Sequence, residues 1–73
     1  PTAPDAFAAE LERLRSTDPL ERWHAIEDLG RRGDPAAADL VAPALRDEDL
    51  FVRMAAARVL GELLGRAVRV RGL

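Results

Sequence analysis

Asp47-Glu48-Asp49 is the densest group of potential metal ligands in the chain. It lacks the twelve-residue ligand spacing and internal glycine of a calcium loop, so it reads as a cap-rich link between helices. His24 is the only histidine and Ser16 the only serine. No cysteine or second histidine is available to build a nucleophile–base pair. His24 points away from the main apolar face of its segment and is expected in solvent, and Ser16 reads as a turn residue. Carboxylates are plentiful, but no pair stands in a recognisable acid/base spacing. Neither Gly30-Arg31-Arg32-Gly33 nor Gly61-Glu62-Leu63-Leu64-Gly65 is a phosphate-binding fingerprint. The residues therefore predict a chain without catalysis, cofactor or metal site.

The basic residues carry a different signal. All 11 are arginine and lysine is absent. A coding bias accounts for this, and so would planar, bidentate recognition of carboxylates or phosphates. In the second reading Arg13, Arg15, Arg31, Arg32, Arg66, Arg69 and Arg71 would contact a nucleic-acid backbone. The net charge of −2 argues against it, because such domains usually carry a basic excess.

The elements that must position these groups follow from an internal repeat. Shifted by 31 residues, Pro4 falls on Pro35, Leu14 on Leu45, Asp18 on Asp49 and Arg22 on Arg53. Ala25, Leu29 and Gly30 likewise fall on Ala56, Leu60 and Gly61. Periods of this size mark stacked units, each too small to bury its own apolar face. A first helix is expected over 4–15, with Phe7, Leu11 and Leu14 on one stripe. Asp18, with Pro19 just inside, caps a second helix ending at Gly30. Asp34-Pro35 opens a third helix with Ala37, Leu40, Val41, Ala44 and Leu45 in register. Pro43 should kink it near Asp39–Pro43 or break it in two. A fourth helix starts after Asp49 and is expected to stop at Gly61 or Gly65. Residues 66–73 would then be a frayed extension or the start of a further helix.

Arg53 points into an apolar cluster of Val52, Ala56, Val59, Leu60, Leu63 and Leu64 on the last helix. Arg22 holds the same position among Ala25, Ile26 and Leu29. A cation there needs acceptors. Asp18, Asp47 and Asp49, with carbonyls ending the preceding helix, are the candidates for a ladder joining one repeat to the next. A ligand-binding arginine is the alternative.

Asp49-Leu50-Phe51-Val52-Arg53, Val59-Leu60-Gly61-Glu62-Leu63 and Leu29-Gly30-Arg31-Arg32-Gly33-Asp34-Pro35 resemble HEAT repeats. The closest variety is the short kind, of about 31 residues, found in bilin-lyase-like proteins. The resemblance covers residues 4–65. It implies an all-α fold of antiparallel A and B helices stacked as a short α-solenoid of about four helices. The 73 residues would form a single domain. It would hold an orphan B helix (4–15), one full A/B repeat (18–46), the A helix of the next repeat (49–65) and a tail (66–73). The first copy departs from the family pattern at Ser16, Glu21, Asp28 and Arg32, and Pro43 is also off-pattern.

What the resemblance implies for function is protein–protein interaction or scaffolding through helix faces. The alternatives are grip on a nucleic-acid backbone or service as an accessory or regulatory subunit of an enzyme. Leu20, Trp23, Phe51 and Met54 are expected to form an apolar stripe across both A helices. Glu10, Arg13, Val41 and Ala44 would lie on the concave B-helix side. Phe7 and Leu11 at one end, and Leu63, Leu64 and Val68 at the other, are expected to be open, favouring self-association or docking onto a longer parent chain. Hydrophobic residues at 48% and charged residues at 33% fit a folded chain rather than a disordered one. No run approaches the ~20 apolar residues of a membrane span. A cytoplasmic location is the default expectation.

Overall fold

The computed structural model describes residues 6–72, with side chains described through Val68. Pro4 therefore lies outside the described residues. Four α-helices are present among them: α1 (Ala8–Leu14), α2 (Pro19–Arg32), α3 (Ala38–Val41) and α4 (Leu50–Gly72). Short 3-10 segments, Pro35–Ala37 and Ala42–Arg46, flank α3. No strand occurs among the described residues.

Local chemistry sets these boundaries. The Asp18 carboxylate accepts from Leu20 N at 2.9 Å, and Pro19 at the first helical position has no N–H to satisfy. Asp34 repeats the device, accepting from Ala36 N at 2.9 Å ahead of Pro35. Asp49 accepts from Val52 N at 3.0 Å and starts α4.

The second helix does not stop at Gly30. It runs on to Arg32 and is capped by Gly33, whose φ of 66° is the left-handed conformation that favours glycine. Gly33 N donates to Leu29 O at 3.2 Å. A Cβ at 33 would also sit 3.0 Å from the Arg66 guanidinium carbon. Gly33→Ala is expected to cost about 1 kcal/mol, because an L-residue is strained in that conformation. A urea melt should show this as a midpoint lowered by about 1 M with an unchanged slope.

Two proline-containing stretches explain the third segment. Instead of one kinked helix or two pieces, residues 35–46 form a 3-10 turn, one short α-turn and a second 3-10 turn. Pro43 cannot donate to the carbonyl of Asp39, so the chain tightens to three residues per turn there.

The last helix departs furthest from expectation. It passes through both Gly61 and Gly65 and continues to Gly72. Of the two readings of the 66–73 stretch, the described residues follow the first: it is an extension of the same helix, through Gly72. Gly in a helix interior costs only about 1 kcal/mol, which packing readily offsets. Arg66 supplies part of that packing by laying its guanidinium over the end of α2, where a cation meets the negative end of the helix dipole.

The core is one cluster of Phe7, Ile26, Leu29, Ala37, Val41, Val52, Ala55, Ala56, Val59 and Leu63. α2 packs against both α1 and α4, and residues 35–46 pack against α4. Phe7 and Leu63, expected at open ends, are both buried.

Candidate protein-interaction surface

The site is built on the junction between α2 and α4, the two helices related by the 31-residue shift. Their approach is close at Gly30. A Cβ there would lie 2.9 Å from Val59 Cγ2, inside any normal carbon contact. Only a glycine lets the two backbones come this near.

Arg22 crosses the same junction. Its Nε donates to Asp47 Oδ2 at 2.8 Å, and its Nη2 donates to Asp47 Oδ1 at 2.9 Å. Its Nη1 donates to the Ser16 carbonyl at 2.9 Å. Hydrogen bonding to Arg22, with the nearby positive charges of Arg22 and Arg53, holds the Asp47 carboxyl below its ordinary range despite burial. The same bond holds the Arg22 guanidinium charged ever more firmly. Asp47 Oδ1 also accepts from Asp49 N at 2.9 Å, so one carboxylate ties α2 to the start of α4.

Of the other expected ladder members, Arg53 keeps only half of the pattern. Its Nη1 donates to the Asp47 carbonyl at 2.8 Å and to the Glu48 carbonyl at 3.3 Å. Asp47 is the repeat equivalent of Ser16, so this is the same backbone bond that Arg22 makes. No carboxylate among the described residues takes Asp47's place at Arg53. Asp18 and Asp49 use their carboxylates as helix caps and pair with neither arginine.

Two members of the expected B-helix surface, Glu10 and Val41, are buried, whereas Arg13 stays partly exposed. Glu10 is only 8% exposed and accepts from Arg32 Nη1 at 2.8 Å. Burial alone would raise the Glu10 pKa. Arg32, by hydrogen bond and charge, outweighs it and lowers that pKa, with Arg13 adding to the effect. Arg32 also lies 4.6 Å over the Phe7 ring, a cation–π contact that covers the end of the core. Arg13 donates to Asp28, which also accepts from Arg31. Val41 is fully buried in the core. The expectation failed because the family pattern places α1 and the third segment on an open concave side. The signal of closure was present in Phe7 and Arg32, an aromatic and a cation placed to close over Glu10.

Three of the seven arginines considered for nucleic-acid contact, Arg13, Arg31 and Arg32, are thus neutralised by carboxylates. Arg66 lies against Gly33, and Arg15 is exposed. Arg69 and Arg71 fall outside the described side chains. Asp47-Glu48-Asp49 is occupied with caps and the Arg22 pair. No group of three metal-ligating side chains occurs among the described residues. His24 is exposed and lies against Trp23, with ring centroids 5.1 Å apart.

The apolar stripe divides in two. Leu20, Trp23 and Phe51, with Pro19 and Asp49, line an open groove of about 450 Å³. Phe51 is 69% exposed and Leu20 more than half exposed, whereas Trp23 is half-buried. Met54 is also exposed but faces elsewhere on α4, outside this groove.

A family model described as HEAT repeats matches residues 7–70. The chain therefore belongs to the HEAT-repeat family, whose members generally mediate protein–protein interaction or scaffolding. No curated protein matches it. No described helix is long and apolar enough to cross a membrane.

Proposed function

We propose that this chain is a non-catalytic protein-interaction module whose recognition site is the groove between α2 and α4. The observation that carries this reading is that exposed Phe51 and Leu20 line one open apolar groove together with half-buried Trp23. Large apolar groups rimmed by charge are the usual anchors of a binding surface. The two helices that carry the groove are held together by the Arg22–Asp47 bond and the Gly30–Val59 contact. The groove suits one or two apolar side chains of a partner segment. Nucleic-acid binding loses support from the arginines held in ion pairs.

Trp23 is the only tryptophan, so its emission reports the groove directly. Peptides selected by display against the chain should carry an apolar anchor and shift Trp23 emission on binding. They should bind at least about tenfold more weakly to Phe51→Glu, the loss of one hot-spot contact. Binders that ignore Phe51→Glu and leave Trp23 emission unchanged would place recognition elsewhere.

A further inference from the structure

The 23-residue helix α4 has two apolar faces. Val52, Ala55, Ala56, Val59 and Leu63 are buried against the rest of the molecule. On the opposite side lie Leu50, Met54, Ala57, Gly61, Leu64 and Val68, all exposed. Their spacings of four, three, four, three and four residues are those of a coiled-coil seam. No charged residue interrupts it. At Gly61 a Cβ would meet nothing within 4 Å, whereas its repeat equivalent Gly30 is pressed against Val59. The seam is thus the α4 counterpart of the face that α2 buries.

From this we infer that the seam docks the same seam of a second copy, with the two α4 helices antiparallel about a two-fold axis at residue 59. Three features carry the choice of occupant. The seam is self-complementary in that register. Leu50 falls opposite Val68, Met54 opposite Leu64, and Ala57 opposite Gly61. Large residues meet at both ends and the two smallest meet at the centre, where they let the helix backbones approach closely. Antiparallel packing also sets opposite helix dipoles side by side.

The alternatives fit worse. A second copy stacked head to tail would place Asp28 against Gly61 and Ser16 against Arg53. Those are the positions where Val59 and Asp47 stand in the built junction. Asp28 is moreover already held by Arg13 and Arg31. A further unit joined as α2 is joined to the third segment would need a helix break at Leu64, the equivalent of Gly33. α4 instead continues unbroken past Leu64. A closed two-fold pair satisfies the seam without leaving an end open to polymerise.

A single helix seam is a small interface, so the dimer should appear at high concentration. This inference concerns a face distinct from the groove and survives or fails separately from it. Light scattering on the intact chain over about a tenfold concentration range should show the mass rising from 8.0 kDa toward twice that value. Ala57→Arg, at an exposed position, should retain the helical circular dichroism and remain monomeric. Leu20→Glu, in the groove, should leave the dimer intact. Register is read by mixing L50C and V68C chains under mild oxidation. The chain has no native cysteine. In the antiparallel pair these sites meet, while like sites lie about 27 Å apart, far beyond disulfide reach. Mixed disulfides should exceed either like pair by about tenfold. A monomer at every concentration, a dimer indifferent to Ala57→Arg, or a predominance of like pairs would each overturn the inference.

Discussion

Gly30→Leu should destabilise the chain by about 2 kcal/mol net, while the same change at the repeat-equivalent Gly61 should stabilise it by about 0.8 kcal/mol. Any Cβ at 30 meets Val59 Cγ2 at 2.9 Å. Val59 is fully buried and β-branched, so it has no rotamer to yield into. Forcing the larger side chain in pushes α2 and α4 apart, at roughly 3 kcal/mol for overpacking. The better helix propensity of leucine returns under about 1 kcal/mol of that. At Gly61 the space is open and only the propensity gain remains. For a domain of 73 residues the first change removes a large share of total stability. Urea melts of both variants at a concentration where the chain is monomeric check the pair. Equal effects at the two sites would mean that α2 and α4 are not stacked as described.

Asp47→Ala should cost about 2 kcal/mol at neutral pH, and the difference from the parent chain should vanish in acid. The substitution removes the acceptor of two Arg22 bonds and of Asp49 N together. The pH dependence follows from the direction of the shift. Asp47 is held below its ordinary carboxylate pKa in the folded chain. Its contribution is therefore fully present above about pH 4 and is lost as pH falls through the lower, folded value. Glu10, shifted in the same direction, adds a second share of acid sensitivity that Asp47→Ala leaves untouched. The check is stability measured from about pH 7 down to about pH 2 for both chains. A gap that persists undiminished across that range would assign the effect to lost packing rather than to the ionised carboxylate.

How far the structure could be read from the sequence depended on how local the controlling interaction was. The capping aspartates 18, 34 and 49 and the two repeat-related helices were legible, because side chain and helix start lie within three residues of each other. Pro43 announced trouble in the third segment, though not the 3-10 geometry by which the chain accommodates it. The ends of α2 and α4 are not legible in the sequence, for the opposite reason. Gly30 looks like a stop but is a packing glycine against Val59, and the helix runs on through Gly65 to place Arg66 against Gly33. At the site, Leu20, Trp23 and Phe51 were recognisable as a patch from their equivalent repeat positions. Met54 shares that equivalence, yet it does not line the groove. Family analogy places Glu10 and Val41 on a concave surface. The closure of Phe7 and Arg32 over α1, a contact between residues 25 apart in sequence, buries Glu10 instead.

α2 and α4 must be successive copies of one helix, stacked so closely that the groove of Leu20, Trp23 and Phe51 forms along their edge. The most direct test is a nuclear Overhauser measurement between the Gly30 Hα protons and the Val59 methyl groups. Strong cross-peaks to both methyls are expected, since a Cβ on that glycine would lie 2.9 Å from Val59 Cγ2 and 3.4 Å from Cγ1. Their absence, with Val59 showing contacts only within its own helix, would contradict the stacking and remove the groove with it.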